Sequence, residues 1–229
     1  MTPRHIGLVG GIGPAATDYY YRRLIGGFAA AGVPLTLTIA HADAPTLLAN
    51  LAADAVAEQT AIYRRLADRL VAAGAECIAI TSIAGHFCID SFGPLSPLPV
   101  VDMIATITAA VRAQRFGRIG ILGTRTVMAS RLYGVDTGAE IVAPAGAAFD
   151  AVHDAYAAMA AAGTVTEAQR RVFDAAAADL LAAGCEAILL GGTDLALVYP
   201  PDAAAFPIID CAGLHADAIM RHALGQGDE

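Results

Sequence analysis

Short apolar runs recur along the chain, with longer stretches of helical spacing between them. Ile6–Val9, Leu35–Ala40, Cys77–Thr81 and Val100–Val101 predict strands in the first half. Ile119–Leu122, Ile141–Val142, Ala187–Leu190 and Ile208–Ile209 predict strands in the second. Ala15–Ala30, Ala52–Ala73, Ile104–Ala113 and Glu167–Ala183 carry helix-like spacing and good helix formers. The strands lack the polar alternation of a sheet with one wet face. They predict an α/β fold, its parallel sheet covered by helices on both sides.

The same pattern appears twice. Leu70-Val-Ala-Ala-Gly-Ala-Glu-Cys-Ile-Ala-Ile80 matches Leu180-Leu-Ala-Ala-Gly-Cys-Glu-Ala-Ile-Leu-Leu190, 110 residues on. Ile6-Gly-Leu-Val-Gly10 matches Ile119-Gly-Ile-Leu-Gly123 at 113, and Leu98-Pro-Val-Val-Asp102 matches Phe206-Pro-Ile-Ile-Asp210 at 108. Three segments in one order at nearly one offset predict two similar parallel-sheet α/β halves. Such halves are expected to be related by a pseudo-two-fold duplication, with an active-site cleft between them. Residues 1–100 plus 208–229 are assigned to the first half and 101–207 to the second. In sheets of this kind ligands sit outside the carboxyl ends of the strands, so the loops there are the place to look for chemistry.

Composition narrows the classes of function. The chain of 229 residues is 56% hydrophobic with a mean hydropathy of +0.56. No apolar run approaches the ~20 residues a bilayer span needs, so no membrane is expected as a partner. Lys+Arg 14 against Asp+Glu 22 gives a net charge of −8, which argues against nucleic acid. A strand-like run begins almost at once, which predicts no signal peptide and a cytoplasmic location. Cys77, Cys88, Cys185 and Cys211 lie far apart, without metal-ligand or disulfide-framework spacing. No metal and no cofactor is expected.

Four loops follow the repeated strands. Gly10-Gly11-Ile12-Gly13-Pro14-Ala15-Ala16-Thr17 is glycine-rich and opens a helix, which suits an anion contact. It lacks the G-x-G-x-x-G spacing and the following acidic residue of a dinucleotide site. Gly11, Gly13 and Thr17 are its candidate binding residues. Gly123-Thr124-Arg125-Thr126 offers Thr124 and Thr126 at another strand-to-helix turn, as ligand contacts or as helix caps. Thr81-Ser82-Ile83-Ala84-Gly85-His86 and Gly191-Gly192-Thr193-Asp194 complete the set. By the repeat, Ser82 and Gly192 are equivalent positions.

These residues carry a resemblance that spans essentially the whole chain. GGIGPAAT, AAGAECIAITSIAGH, GTRTVMAS, VHDAY, LLAAGCEAILLGGTDLALV and IIDCAGLHA, in that order, resemble six segments of the cofactor-independent aspartate/glutamate racemase family. That family removes an α-proton with one cysteine and returns it on the other face with a second. The resemblance places those cysteines at positions 82 and 192, where this chain has Ser82 and Gly192. The polar pair that follows the first cysteine is replaced by Ile83 and Ala84. Thr193 and His86 are retained, and Asp194 stands for the family's glutamate. An unassisted serine hydroxyl is not ionised at neutral pH, and glycine has no side chain, so neither does a thiolate's work.

Three readings follow. One is a cofactor-independent isomerase or lyase acting on a small carboxylate by a route other than the two-cysteine one. Ser82, His86 and Asp194 are then the candidate catalytic residues. Ile83, Ala84, Gly192 and Thr193 join the binding residues, with a less polar ligand than aspartate. The others are an aspartate/glutamate racemase with substitute bases and a non-catalytic small-molecule binding protein. Family members are commonly dimers, so the resemblance allows a homodimer.

Overall fold

The computed structural model describes residues 2–200 and 204–226. Residues 1, 201–203 and 227–229, which fall in the expected halves, lie outside them. The chain divides into two compact units, residues 1–103 with 212–229 and residues 104–211.

In unit 1, β1 (Ile6–Gly10), α1 (Pro14–Ala30), β2 (Leu37–His41), α2 (Ala44–Ala52), α3 (Val56–Ala72), β3 (Cys77–Ile80) and α4 (Ile89–Phe92) follow in turn. The strands form a parallel sheet in the order β2-β1-β3. Val100 extends it by one bridge, to Ile78. The chain leaves unit 1 at the start of α5 (Met103–Gln114). Unit 2 then holds β4 (Arg118–Gly123), α6 (Arg125–Ala129), β5 (Glu140–Val142), α7 (Ala147–Ala162), α8 (Glu167–Ala182), β6 (Ala187–Gly191) and β7 (Ile208–Ile209). Its strands are parallel in the order β5-β4-β6-β7. The chain returns to unit 1 through α9 (Cys211–Ala223). Residues 208–209 hydrogen-bond to β6, so they are an edge strand of the second sheet and not the start of the first unit's return.

The repeat seen in the sequence extends to register and packing. Gly7 pairs with Ile78 as Gly120 pairs with Ile188. Leu70 of α3 lies 3.0 Å from where a Cβ on Gly7 would sit, and Leu180 of α8 lies 2.9 Å from the corresponding point on Gly120. Each strand thus carries a glycine where a helix leucine presses close. Glu76 accepts the His5 amide at 2.8 Å, and Glu186 accepts the Gly117 and Arg118 amides at 2.7 and 3.1 Å.

The inner strands β1, β3 and β6 are buried completely, as near-continuous apolar runs require, whereas the edge strands β2 and β5 are partly exposed. Four-residue spacing sets the buried stripe of α1, Ala16, Tyr20, Leu24 and Phe28. The helix expected over 52–73 is α3, which starts at Val56; Ala52 ends α2, and Asp54 at a left-handed φ of 51° separates the two. Helices α2, α7 and α9, and the short α4 and α6, lie outside the expected set. Alanine is so dense in α7 that its buried residues, Val152, Ala155, Tyr156 and Met159, stand out little from the exposed ones. Among the described residues no helix is long and apolar enough to cross a membrane.

Candidate active site

In unit 1 the chain emerges from β3 into Thr81-Ser82-Ile83 and a 3₁₀ turn over Ala84–Cys88. Ser82 is buried, and its Oγ accepts the Gly85 amide at 3.3 Å. Ile83 has no exposed surface and Ala84 is also buried, so both are packed rather than displayed. His86 is held from both sides. Nδ1 lies 2.7 Å from the Ser82 carbonyl, which can only accept, so that nitrogen carries the proton. Nε2 lies 3.3 Å from the Met103 amide, which can only donate, so that nitrogen accepts. The lone pair a general base needs is thereby already engaged.

A second imidazole backs the first. The rings of His86 and His215 meet edge to face, 6.0 Å apart. His215 Nε2 donates to the Val101 carbonyl at 2.8 Å, and Nδ1 accepts from the Tyr20 hydroxyl at 2.9 Å. Burial holds both rings neutral. It pushes His215 down to about 3, aided by the neighbouring imidazole and opposed by the Val101 carbonyl. It lowers His86 as well, against the opposing pull of Asp102 and the Ser82 carbonyl.

The glycine-rich loop lies beside β3. Gly11 and Gly13 take φ of +88° and +104°, and the space a Cβ on Gly11 would need is filled by the His41 ring. Thr17 Oγ1 accepts the Gly11 amide at 2.9 Å, donates to the Gly13 carbonyl at 3.1 Å and lies 3.3 Å from Thr81 Oγ1. Its hydroxyl closes the loop on itself.

In unit 2, Thr124 is buried and caps α6, its Oγ1 accepting the Val127 amide at 3.3 Å. Thr126 is half-buried in the first turn of α6. Arg125 pairs with Asp150 at 2.6 Å and lies over the Phe149 ring, and its amide donates to His153 Nδ1 at 3.1 Å. The start of α7 is thus fixed to the end of β4.

The end of β6 carries a buried polar cluster. Gly192 leads into Thr193 and Asp194, each 2% exposed. The Tyr156 hydroxyl, reaching in from α7, donates to Asp194 Oδ2 at 3.1 Å. Thr193 and the Asp194 amide also hydrogen-bond the phenol. Burial first, and the Asp194 charge second, raise the phenol well above its ordinary pKa. Sequence reading did not single out Tyr156. Its signals were the high helix propensity of 147–162 and the VHDAY segment, whose aromatic is the only large polar side chain on the buried face of that helix.

The four thiols are all free and buried. Burial pushes Cys77 and Cys88 up to about 11 and raises Cys185 and Cys211 too. None is poised as a thiolate at neutral pH. Among the described residues no group of three His, Cys, Asp or Glu side chains is placed to hold a metal ion.

A model of the family described as Asp/Glu/hydantoin racemase matches residues 9–219. Among solved structures, a Yersinia pestis protein provisionally described as an Asp/Glu racemase is similar at 24% identity and a TM-score of 0.82, covering 96% of this chain and 99% of that one. An aspartate racemase homologue from Pyrococcus horikoshii OT3 is 22% identical with a TM-score of 0.77, over 96% and 99% of the two chains. The aspartate racemase of Picrophilus torridus is 18% identical with a TM-score of 0.77, over 96% and 94%. No curated protein matches the chain.

Proposed function

The chain belongs to the Asp/Glu/hydantoin racemase family, and on that premise we propose that it is a cofactor-independent enzyme of isomerase or lyase type acting on a small carboxylate without two-thiol proton exchange. One observation carries this reading. The ends of β3 and β6, equivalent in register, present Ser82 and a Tyr156–Asp194 pair, while every thiol is buried with a raised pKa. Ser82 is read as hydrogen-bond donor or nucleophile at the end of β3, and Asp194 as the acidic group at the end of β6. His86 is a positioning residue, because its ring ties the Ser82 carbonyl to the Met103 amide. Gly11, Gly13, Thr17, Thr124, Thr126 and Thr193 are read as loop residues that shape the binding surface. A homodimer enters this reading from the family resemblance.

Two-base racemisation needs an ionisable group on each face of the α-carbon. The purified protein is therefore expected to leave the α-protons of aspartate and glutamate unexchanged in deuterated water, followed by proton NMR. Small prochiral malonates, assayed for proton uptake on loss of carbon dioxide, are the first substrates to try. Ser82→Ala should lower any turnover found there by about 10²-fold or more. Robust exchange on aspartate or glutamate that survives replacement of all four cysteines by alanine would overturn the reading.

A further inference from the structure

Gly192 is enclosed. A Cβ built on it would lie 2.5 Å from Cζ and 2.8 Å from the hydroxyl of Tyr156, with a ring carbon nearer still. Real Cβ atoms do not come so close to anything, so residue 192 and Tyr156 compete for one volume. The ring cannot swing aside freely, because it is 6% exposed and its hydroxyl is bonded to Asp194. Both residues stand at the carboxyl end of β6, the end at which parallel sheets receive ligands.

From this we infer that Tyr156 is the specificity-determining residue of unit 2: it takes the volume a side chain at 192 would need, and sets a phenol–carboxylate pair at the ligand-facing end of β6 instead. The inference rests on the reading of β6 given above. It also deepens that reading. A phenol bonded to a buried carboxylate stays protonated at neutral pH, and its one hydrogen is committed to Asp194 Oδ2, so it does not abstract a proton. At this point unit 2 then disfavours an anionic oxygen beside the buried Asp194 carboxylate, favours a neutral ligand surface against the ring, and takes no base from the phenol.

The test uses the full chain with its native cysteines, and it reads stability and thiol access rather than turnover. Gly192→Cys alone is expected to lower Tm by roughly 3–10 °C, the usual cost of overpacking at this chain length. Tyr156→Ala alone should also lower Tm, since it empties the volume of a buried ring and removes a donor from Asp194, but the double variant should lose clearly less than the sum of the two. Adding Tyr156→Phe, which keeps the ring, should recover none of the Gly192→Cys loss. In folded Gly192→Cys/Tyr156→Ala, iodoacetamide should modify one thiol by intact mass, against none in the parent, whose four thiols are buried. If Gly192→Cys does not fold, recovery of folding by Tyr156→Ala serves as the stability readout.

Three outcomes overturn the inference. They are a Gly192→Cys variant with the parent Tm, additive effects of the two changes, and a well-folded double variant whose new thiol stays unmodified. The last would make this volume core rather than ligand-facing. None of these results depends on the exchange assay, so failure here and failure of the proposed function are separable.

Discussion

Unfolding at pH 5 is expected to be easier than at pH 7.5 by about 2 kcal/mol through His215 alone, with His86 adding to the loss. The folded pKa of His215 lies near 3, whereas a histidine in the unfolded chain titrates near 6.5. Above about pH 6.5 neither state holds the proton, and the stability is fully present. Between there and about pH 3 only the unfolded chain binds it, so each step downward in pH favours unfolding. His86 is lowered by burial in the same direction. Protonating either ring would also break a hydrogen bond, since each has one nitrogen acting as acceptor, from Tyr20 and from Met103. Urea midpoints across pH 5–7.5 measure the effect. His215→Gln can still accept from Tyr20 and donate to Val101 but cannot titrate. Its stability should vary less over that range, by about the same 2 kcal/mol. A variant as acid-sensitive as the parent would refute the assignment.

Gly123→Ala is expected to destabilise the protein by about 3 kcal/mol, at the upper end for an overpacked core position. Gly123 and Gly191 are paired residues at the ends of β4 and β6. A Cβ on Gly123 would lie 2.6 Å from the Gly191 carbonyl carbon, with the oxygen closer still. The obstacle is backbone, which has no rotamer to escape into. Relief requires the two strands to part at the end that positions Thr124 and Gly192. Gly26 on α1 has nothing within 4 Å of its Cβ position. There the same change to alanine should stabilise by about 0.5–1 kcal/mol. Urea denaturation of both variants tests the pair, and equal effects would show that helix propensity rather than strand approach governs them.

Much of the architecture is legible in the sequence because a strand buried on both faces has to be apolar throughout. Cys77–Ile80 and Ala187–Gly191 announce themselves as short runs after a glycine, and their shared offset already pairs residue 82 with residue 192. Helices in an alanine-rich chain are harder. In α7 the alanines of the buried and exposed faces are alike, so periodicity has no contrast to report. The site inherited this blind spot, because Tyr156 stands on that helix. A glycine at 192 is visible in the sequence as a missing side chain, but what fills the vacant volume is a fact of packing. The role of His86 was hidden for a related reason. Its partners are the Ser82 carbonyl and the Met103 amide, backbone groups present at every residue and so invisible in composition.

The discontinuity of unit 1 bears on the order in which the molecule is made. A growing chain that has reached Cys211 already contains every described strand of both sheets, and the whole of residues 104–211. Unit 1 at that moment still lacks α9. Without His215, the Tyr20 hydroxyl and the Val101 carbonyl have lost the imidazole that joins them, although the segments bearing them left the ribosome long before. Synthesis from the N-terminus usually lets the earlier domain fold first. Here the order in which the units become complete is reversed: every residue of the inserted unit precedes α9, which the surrounding unit needs.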